Sequence, residues 1–171
     1  MEPTMAAARR VVAELPEGTD AAVVGERFFE FHKEEVIKTG ARWPERLTRA
    51  DLWSTDWQIF PNSSVLPSVD GPLWYRMRPD GDNADATIFD VWVMGRYAPG
   101  QEPKVEQEVF ETPEAFKGKS PFLEQDFKNL VAVQKGMRSR AWRGARPNPA
   151  QEASVTNLHR VLHQYLFDEP R

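Results

Sequence analysis

The stretch Leu73–Pro99, LWYRMRPDGDNADATIFDVWVMGRYAP, decides the fold. Its centre, PDGDNAD at residues 79–85, concentrates Pro, Gly, Asn and Asp, the residue types that reverse the direction of a chain. Aromatic and β-branched runs of strand length flank it on both sides. Two strands joined by a turn segment of seven residues form an antiparallel hairpin. In the second strand Thr87, Phe89, Val91 and Val93 alternate with Ile88, Asp90, Trp92 and Met94. Both sets are largely apolar, which predicts a strand covered on both faces.

The β reading extends upstream through LWSTDWQIFPNSSVLPS, residues 52–68, punctuated by Pro61 and Pro67, so the β region runs from about 51 to 98. Residues 1–47 read as helical. DAAVVGERFFEFHKEEVIKTG opens on Asp20 as an N-cap and closes on Gly40, with Val24, Phe28, Phe31 and Ile37 at helical spacing. Trp43-Pro44 ends that pattern. Residues 99–121 form a polar connection with one helical turn near TPEAF, and a helix begins near Asp126 with Phe127, Leu130, Val131 and Met137 as its buried stripe. RSRAWRGARPNPAQ is irregular and basic. The last helix, EASVTNLHRVLHQYLF, carries Val155, Leu158, Leu162 and Tyr165 on one stripe. Helix, sheet, then helices predicts an α+β fold, with helices packed on one face of an antiparallel sheet.

The 171 residues fit one domain, and six Trp and ten Phe suffice for a core. A net charge of −4 gives no electrostatic footprint for nucleic acid. No run of eighteen apolar residues marks a membrane span, and AAARRVVAEL reads as a helix rather than a signal peptide, so a cytoplasmic protein is the default expectation. Cysteine is absent, which excludes disulfides, a thiolate nucleophile, and cysteine-ligated zinc or iron–sulfur clusters. A metal or triad must draw on His32, His159 and His163.

Asp126 has two readings. Asp is a favoured N-cap, accepting an N–H from the first turn. Alternatively its carboxylate points into a cavity and ligates a metal. His159 and His163 lie four apart on the last helix and face the same way; with Asp126 they make a nominal set of two histidines and one carboxylate. The competing reading places them on a polar helix edge. His32, between an apolar stripe and a charged face, reads as a hydrogen-bonded histidine. Arg138, Arg140, Arg143 and Arg146 around Trp142 suit a phosphate or a base, or a solvated linker anchored by the indole.

QDFKNLVAVQKGMRSRAW, residues 125–142, resembles the late helix of the catalytic domain of Rieske non-haem iron ring-hydroxylating oxygenases, large (α) subunit. Asp126, Asn129, Val133, Gln134, Gly136, Met137 and Ser139 carry the match. WQIFPNSSVLP resembles the family's FPN strand, LWYRMRPDG and FDVWVMGRYAPG its next two strands, and NLHRVLHQYL its terminal helix, over residues 20–168. The resemblance implies a partial helix-grip (SRPBCC-type) domain that hydroxylates small aromatic or related substrates. It implies that Asp126 is the carboxylate of an iron(II) site completed by two histidines, and that Phe122 and Asn62 lie near the substrate cavity. The family's H-x4-H segment and its Rieske cluster have no counterpart here. The resemblance therefore implies a C-terminal portion of an α subunit that binds no iron and turns over no substrate alone. MEPTMAAARRVVAELPEG resembles an internal stretch of longer relatives. The expected partners are a separately encoded N-terminal piece bearing the Rieske cluster, or a second copy of the chain. A stand-alone module that binds small apolar ligands without redox chemistry is the other reading.

Overall fold

The structure is a computed structural model and describes residues 2–53 and 56–167. Ser54 and Thr55, inside the predicted β region, lie outside the described residues. Two compact units divide the chain: residues 1–103 with 152–171, and residues 104–151.

The first unit begins with two packed helices, α1 (Glu2–Glu14) and α2 (Ala21–Lys38). Asp20 caps α2 as its spacing predicts, its Oδ1 accepting the Ala22 N–H at 2.8 Å. Thr39 closes the helix, and Gly40 turns the chain away with φ +82°, a conformation glycine adopts without a Cβ penalty. Phe31 and Val36 are buried on α2 and Ala7 on α1. Arg10 of α1 lies over the Phe31 ring at 3.9 Å and reaches Glu34 and Glu35 of α2 at 2.7 and 3.0 Å. Its guanidinium stacks on the aromatic while bonding the carboxylates, so it joins the helices by packing as well as by charge.

The sheet of this unit has four antiparallel strands in sequential order: β1 (Trp57–Ile59), β2 (Ser63–Leu66), β3 (Leu73–Asp80) and β4 (Asn83–Val93). The β3–β4 hairpin confirms the expected pairing but tightens its turn. Asp80 pairs with Asn83, leaving Gly81 and Asp82 as a two-residue loop, with Gly81 at φ +55°. Turn-forming residues on either side are drawn into the ladder, because pairing satisfies their backbone groups. The expectation that β4 is covered on both faces is overturned. Trp74 of β3 and Ile88 and Trp92 of β4, which share one sheet face through their register, are all exposed. Apolar alternation records what a strand can bury, not what covers it.

α4 (Ala153–Phe167) contacts β1, and its Tyr165 ring sits 4.7 Å from Phe60. Val155, Leu158 and Val161 are half-buried, whereas Leu162 and Tyr165 of the predicted stripe are exposed.

The second unit holds the single-turn helix Pro113–Phe116, which the TPEAF segment predicts, and α3 (Pro121–Met137). Phe116 packs edge-on to Phe110 at 5.2 Å and to Phe127 of α3 at 5.0 Å. Leu123 is its buried aliphatic residue.

Candidate functional site

α3 starts five residues before Asp126. Ser120 is its N-cap, the hydroxyl accepting from the Leu123 N–H at 3.5 Å, and Pro121 occupies the first turn, where a missing N–H costs nothing. Glu124 accepts the Gly118 N–H at 2.6 Å and closes the entry to the helix. Asp126 is thus beyond the first turn, where the N–H groups already have intrahelical partners. The capping role read from its residue type is overturned, because Ser120-Pro121 supplies both start signals.

Asp126 is exposed, and among the described residues of its own unit its carboxylate makes no hydrogen bond or ion pair. Phe122, Asp126, Leu130, Val133 and Met137 recur every three or four residues and share one face of α3. The four apolar members are 51–57% exposed, and Asp126 is the one charge among them. Lys128 and Lys135 project from the opposite side by helical geometry. The predicted buried stripe fails in the same way: Phe127 is half-buried, but Leu130, Val131 and Met137 are exposed.

Asn62 lies in the other unit, in the turn between β1 and β2. Its Nδ2 donates to the Met77 carbonyl at 2.7 Å, and its own carbonyl accepts the Met77 N–H at 2.9 Å. Both bonds tie the turn to β3. His159 and His163 are exposed on α4, and the His163 ring packs on Phe167 at 4.8 Å. Among the described residues no group of three His, Cys, Asp or Glu side chains is arranged to hold a metal. Asp126 lies in one unit and His159 and His163 in the other. The donor set does not fit iron, since one carboxylate lacks the assembled ligands on which affinity and selectivity rest.

A polar cluster that sequence reasoning missed lies in the first unit. His32 of α2 and Asp70, in the connection before β3, are both buried, with Nε2 3.4 Å from Oδ1. The Thr4 hydroxyl of α1 lies 2.8 and 2.9 Å from the two Asp70 oxygens and 3.3 Å from His32 Nε2. It has one hydrogen and so donates to one oxygen at a time. The Thr4 N–H and the Ser68 hydroxyl reach the same carboxylate at 3.2 Å each. Burial pushes the Asp70 carboxyl up, but bonds from His32 and Thr4 outweigh it and hold the group well below the usual carboxylate range. This is not a hydroxyl–histidine–carboxylate triad. Thr4 and Asp70 share Nε2, while Nδ1 is buried without a hydrogen-bond partner among the described residues, in a ring that packs against Phe28 and Trp43. The cluster ties α1, α2 and the β2–β3 connection together. Only His32 was legible, as a hydrogen-bonded histidine; its partners lie 28 and 38 residues away in the chain.

The other strongly perturbed carboxylate, Asp90, is held down to about 2 first by the Arg78 guanidinium and then by Arg76, at 2.7 and 2.9 Å. Both arginines neighbour it across the β3–β4 ladder, so its charge is matched locally.

No described helix is long and apolar enough to cross a membrane. Comparisons with curated proteins and with solved structures give no match. The family described as "Ring hydroxylating alpha subunit (catalytic domain)" matches residues 19–167, which include α2, strands β1 to β4, α3 and α4 but not α1. That span takes in Asn62, Phe122 and Asp126, and the antiparallel sheet with packed helices agrees with the helix-grip type of that domain. The chain belongs to the family of ring hydroxylating alpha subunit catalytic domains.

Proposed function

We propose that this chain provides the carboxylate side of a non-haem iron site in a ring-hydroxylating oxygenase, with Asp126 as the ligand. The two histidines and the Rieske cluster would come from outside these 171 residues. The observation that carries the reading is the placement of Asp126, a single charge on an exposed apolar stripe of α3, inside the family match. An isolated carboxylate there is poorly used by the fold and well used by a metal completed from elsewhere. Iron, when bound in the intact enzyme, supplies oxygen activation. This chain's residues bind and orient: Asp126 offers an anionic oxygen, and the Phe122 ring, one turn earlier on the same face, offers an apolar wall to an aromatic substrate. Asn62 offers Oδ1 from a turn clamped to β3.

The ligand-binding module without redox chemistry has less support. Open clefts of about 480 and 420 Å³ lie beside the end of α2 and beside the end of β4, and neither is lined by Asn62, Phe122 or Asp126. The test is reconstitution with a polypeptide bearing the two-histidine segment and the Rieske domain. Substrate hydroxylation is expected only from the mixture, and its loss is expected in Asp126→Ala. Activity that survives Asp126→Ala would refute the assignment.

A further inference from the structure

The first unit contains a groove that the oxygenase reading does not use. The chain turns at Gly40 after α2, and the residues that follow run back along the helix, because Arg49 donates to the Ala22 carbonyl at 2.8 Å, near the start of α2. Gly25 admits that arginine: a Cβ there would stand 3.1 Å from its Nη1. The Leu47 N–H donates to the Pro44 carbonyl at 3.1 Å and folds the returning segment on itself. Helix and segment together line the open cleft of about 480 Å³, a size within the range of small-molecule sites. Phe29, Lys33 and Ile37 recur every four residues, so they share the face of α2 that lines it. Phe31 and Glu35, which meet Arg10 of α1, lie on the opposite face. The cleft floor is apolar. Phe29 and Trp43 are half-buried and meet edge-on at 5.5 Å, and Ile37 is half exposed. The Trp43 ring is also edge-on to the buried His32 ring at 5.6 Å, so two neighbours fix its plane. Lys33 and Arg42 stand exposed at the rim, and neither has an ion pair or side-chain hydrogen bond among the described residues. Glu30, the acid three residues before Lys33, is engaged by Arg27 at 2.6 Å. Glu45 is the one acid that lines the cleft against these two cations.

From this arrangement we infer that the groove between α2 and residues 41–47 binds a small aromatic carboxylate, with its ring against Phe29 and Trp43 and its anion met by Lys33 and Arg42. Aromatic rings pack well on edge-on and offset partners, and a carboxylate forms charge-assisted hydrogen bonds with an ammonium and a guanidinium. A neutral aromatic would leave both cations without use, and a purely ionic ligand would leave the ring floor without use. The groove belongs to the first unit and Asp126 to the second, so this is a second binding site and does not rest on the Asp126 assignment.

Calorimetric titration of the iron-free full chain with 2-naphthoate tests it. A single saturable site is expected, with a dissociation constant below about 1 mM. 2-Naphthamide, which keeps the rings and lacks the charge, should bind about tenfold more weakly. Lys33→Gln with Arg42→Gln should weaken 2-naphthoate binding about tenfold, while Lys33→Arg with Arg42→Lys preserves it. Ile37→Glu sets a like charge on the floor at a half-exposed position and should weaken binding to a similar degree, while Ile37→Leu preserves it. Far-UV circular dichroism checks that each variant is folded. Absence of saturable binding to the wild type overturns the proposal. So does equal binding of the amide, or binding indifferent to Lys33→Gln with Arg42→Gln or to Ile37→Glu.

Discussion

The two units of this chain spend their side chains differently. Residues 1–103 with 152–171 are fastened by deep contacts between distant segments: Phe31, Val36 and Leu73 in the core, and Asp70 holding Thr4 and His32. Residues 104–151 rest on Phe110, Phe116, Phe127 and Leu123, and leave much of α3 exposed. Asp126, the proposed metal carboxylate, lies in the second, thinly packed unit. Substitutions in the two units should therefore report on different properties.

The largest effect is expected at Phe31. It is buried under Arg10, and Phe31→Ala should cost about 3–5 kcal/mol in urea or thermal unfolding, by lost burial and the cavity left behind. A cost near zero would deny the first unit its core. Next comes Asp70→Ala, expected to cost about 3 kcal/mol because it leaves the buried His32 and the Thr4 hydroxyl without their acceptor.

Asp70 also sets a pH dependence. Its folded carboxyl is held below its unfolded value of about 3.9, so the unfolded chain takes up a proton first as pH falls. The stability it contributes is complete above about pH 5 and is lost as pH falls through the folded value. Asp70→Asn should flatten that acid limb, and an unchanged limb would remove Asp70 from the account.

A smaller, local effect is expected at Phe116. Phe116→Ala should cost about 2 kcal/mol and raise amide exchange in α3, while α1 and α2 keep their protection. Equal loss of protection in both would show that the units do not differ as described. The smallest effects separate cap from ligand. Ser120→Ala should cost about 1 kcal/mol, and Asp126→Asn should stay within about 0.5 kcal/mol. The reverse order would restore Asp126 as the cap.

How much of this was legible in the sequence follows from the range of each interaction. The hairpin, the Asp20 cap and the Thr112-Pro113 turn rest on neighbouring residues and could be read directly. Ser120-Pro121 was equally local, but among Pro and Gly residues it read as loop, and the helix start was placed at the stronger-looking Asp126. The Asp70–His32 contact spans 38 residues and leaves no periodic trace. Exposure of Trp92 and Met137 was illegible for another reason: periodicity marks an apolar face without naming its cover. The family was legible through the order of its segments, and the fold gives the N-cap of α3 to Ser120 rather than Asp126.

The central claim is that Asp126 is a metal ligand position without its companions in this chain. Anaerobic titration with iron(II), followed by desalting and metal analysis, tests it directly on the wild type and Asp126→Ala. The account predicts no stoichiometric iron in either protein. One tightly held iron per wild-type chain, lost in Asp126→Ala, would contradict it.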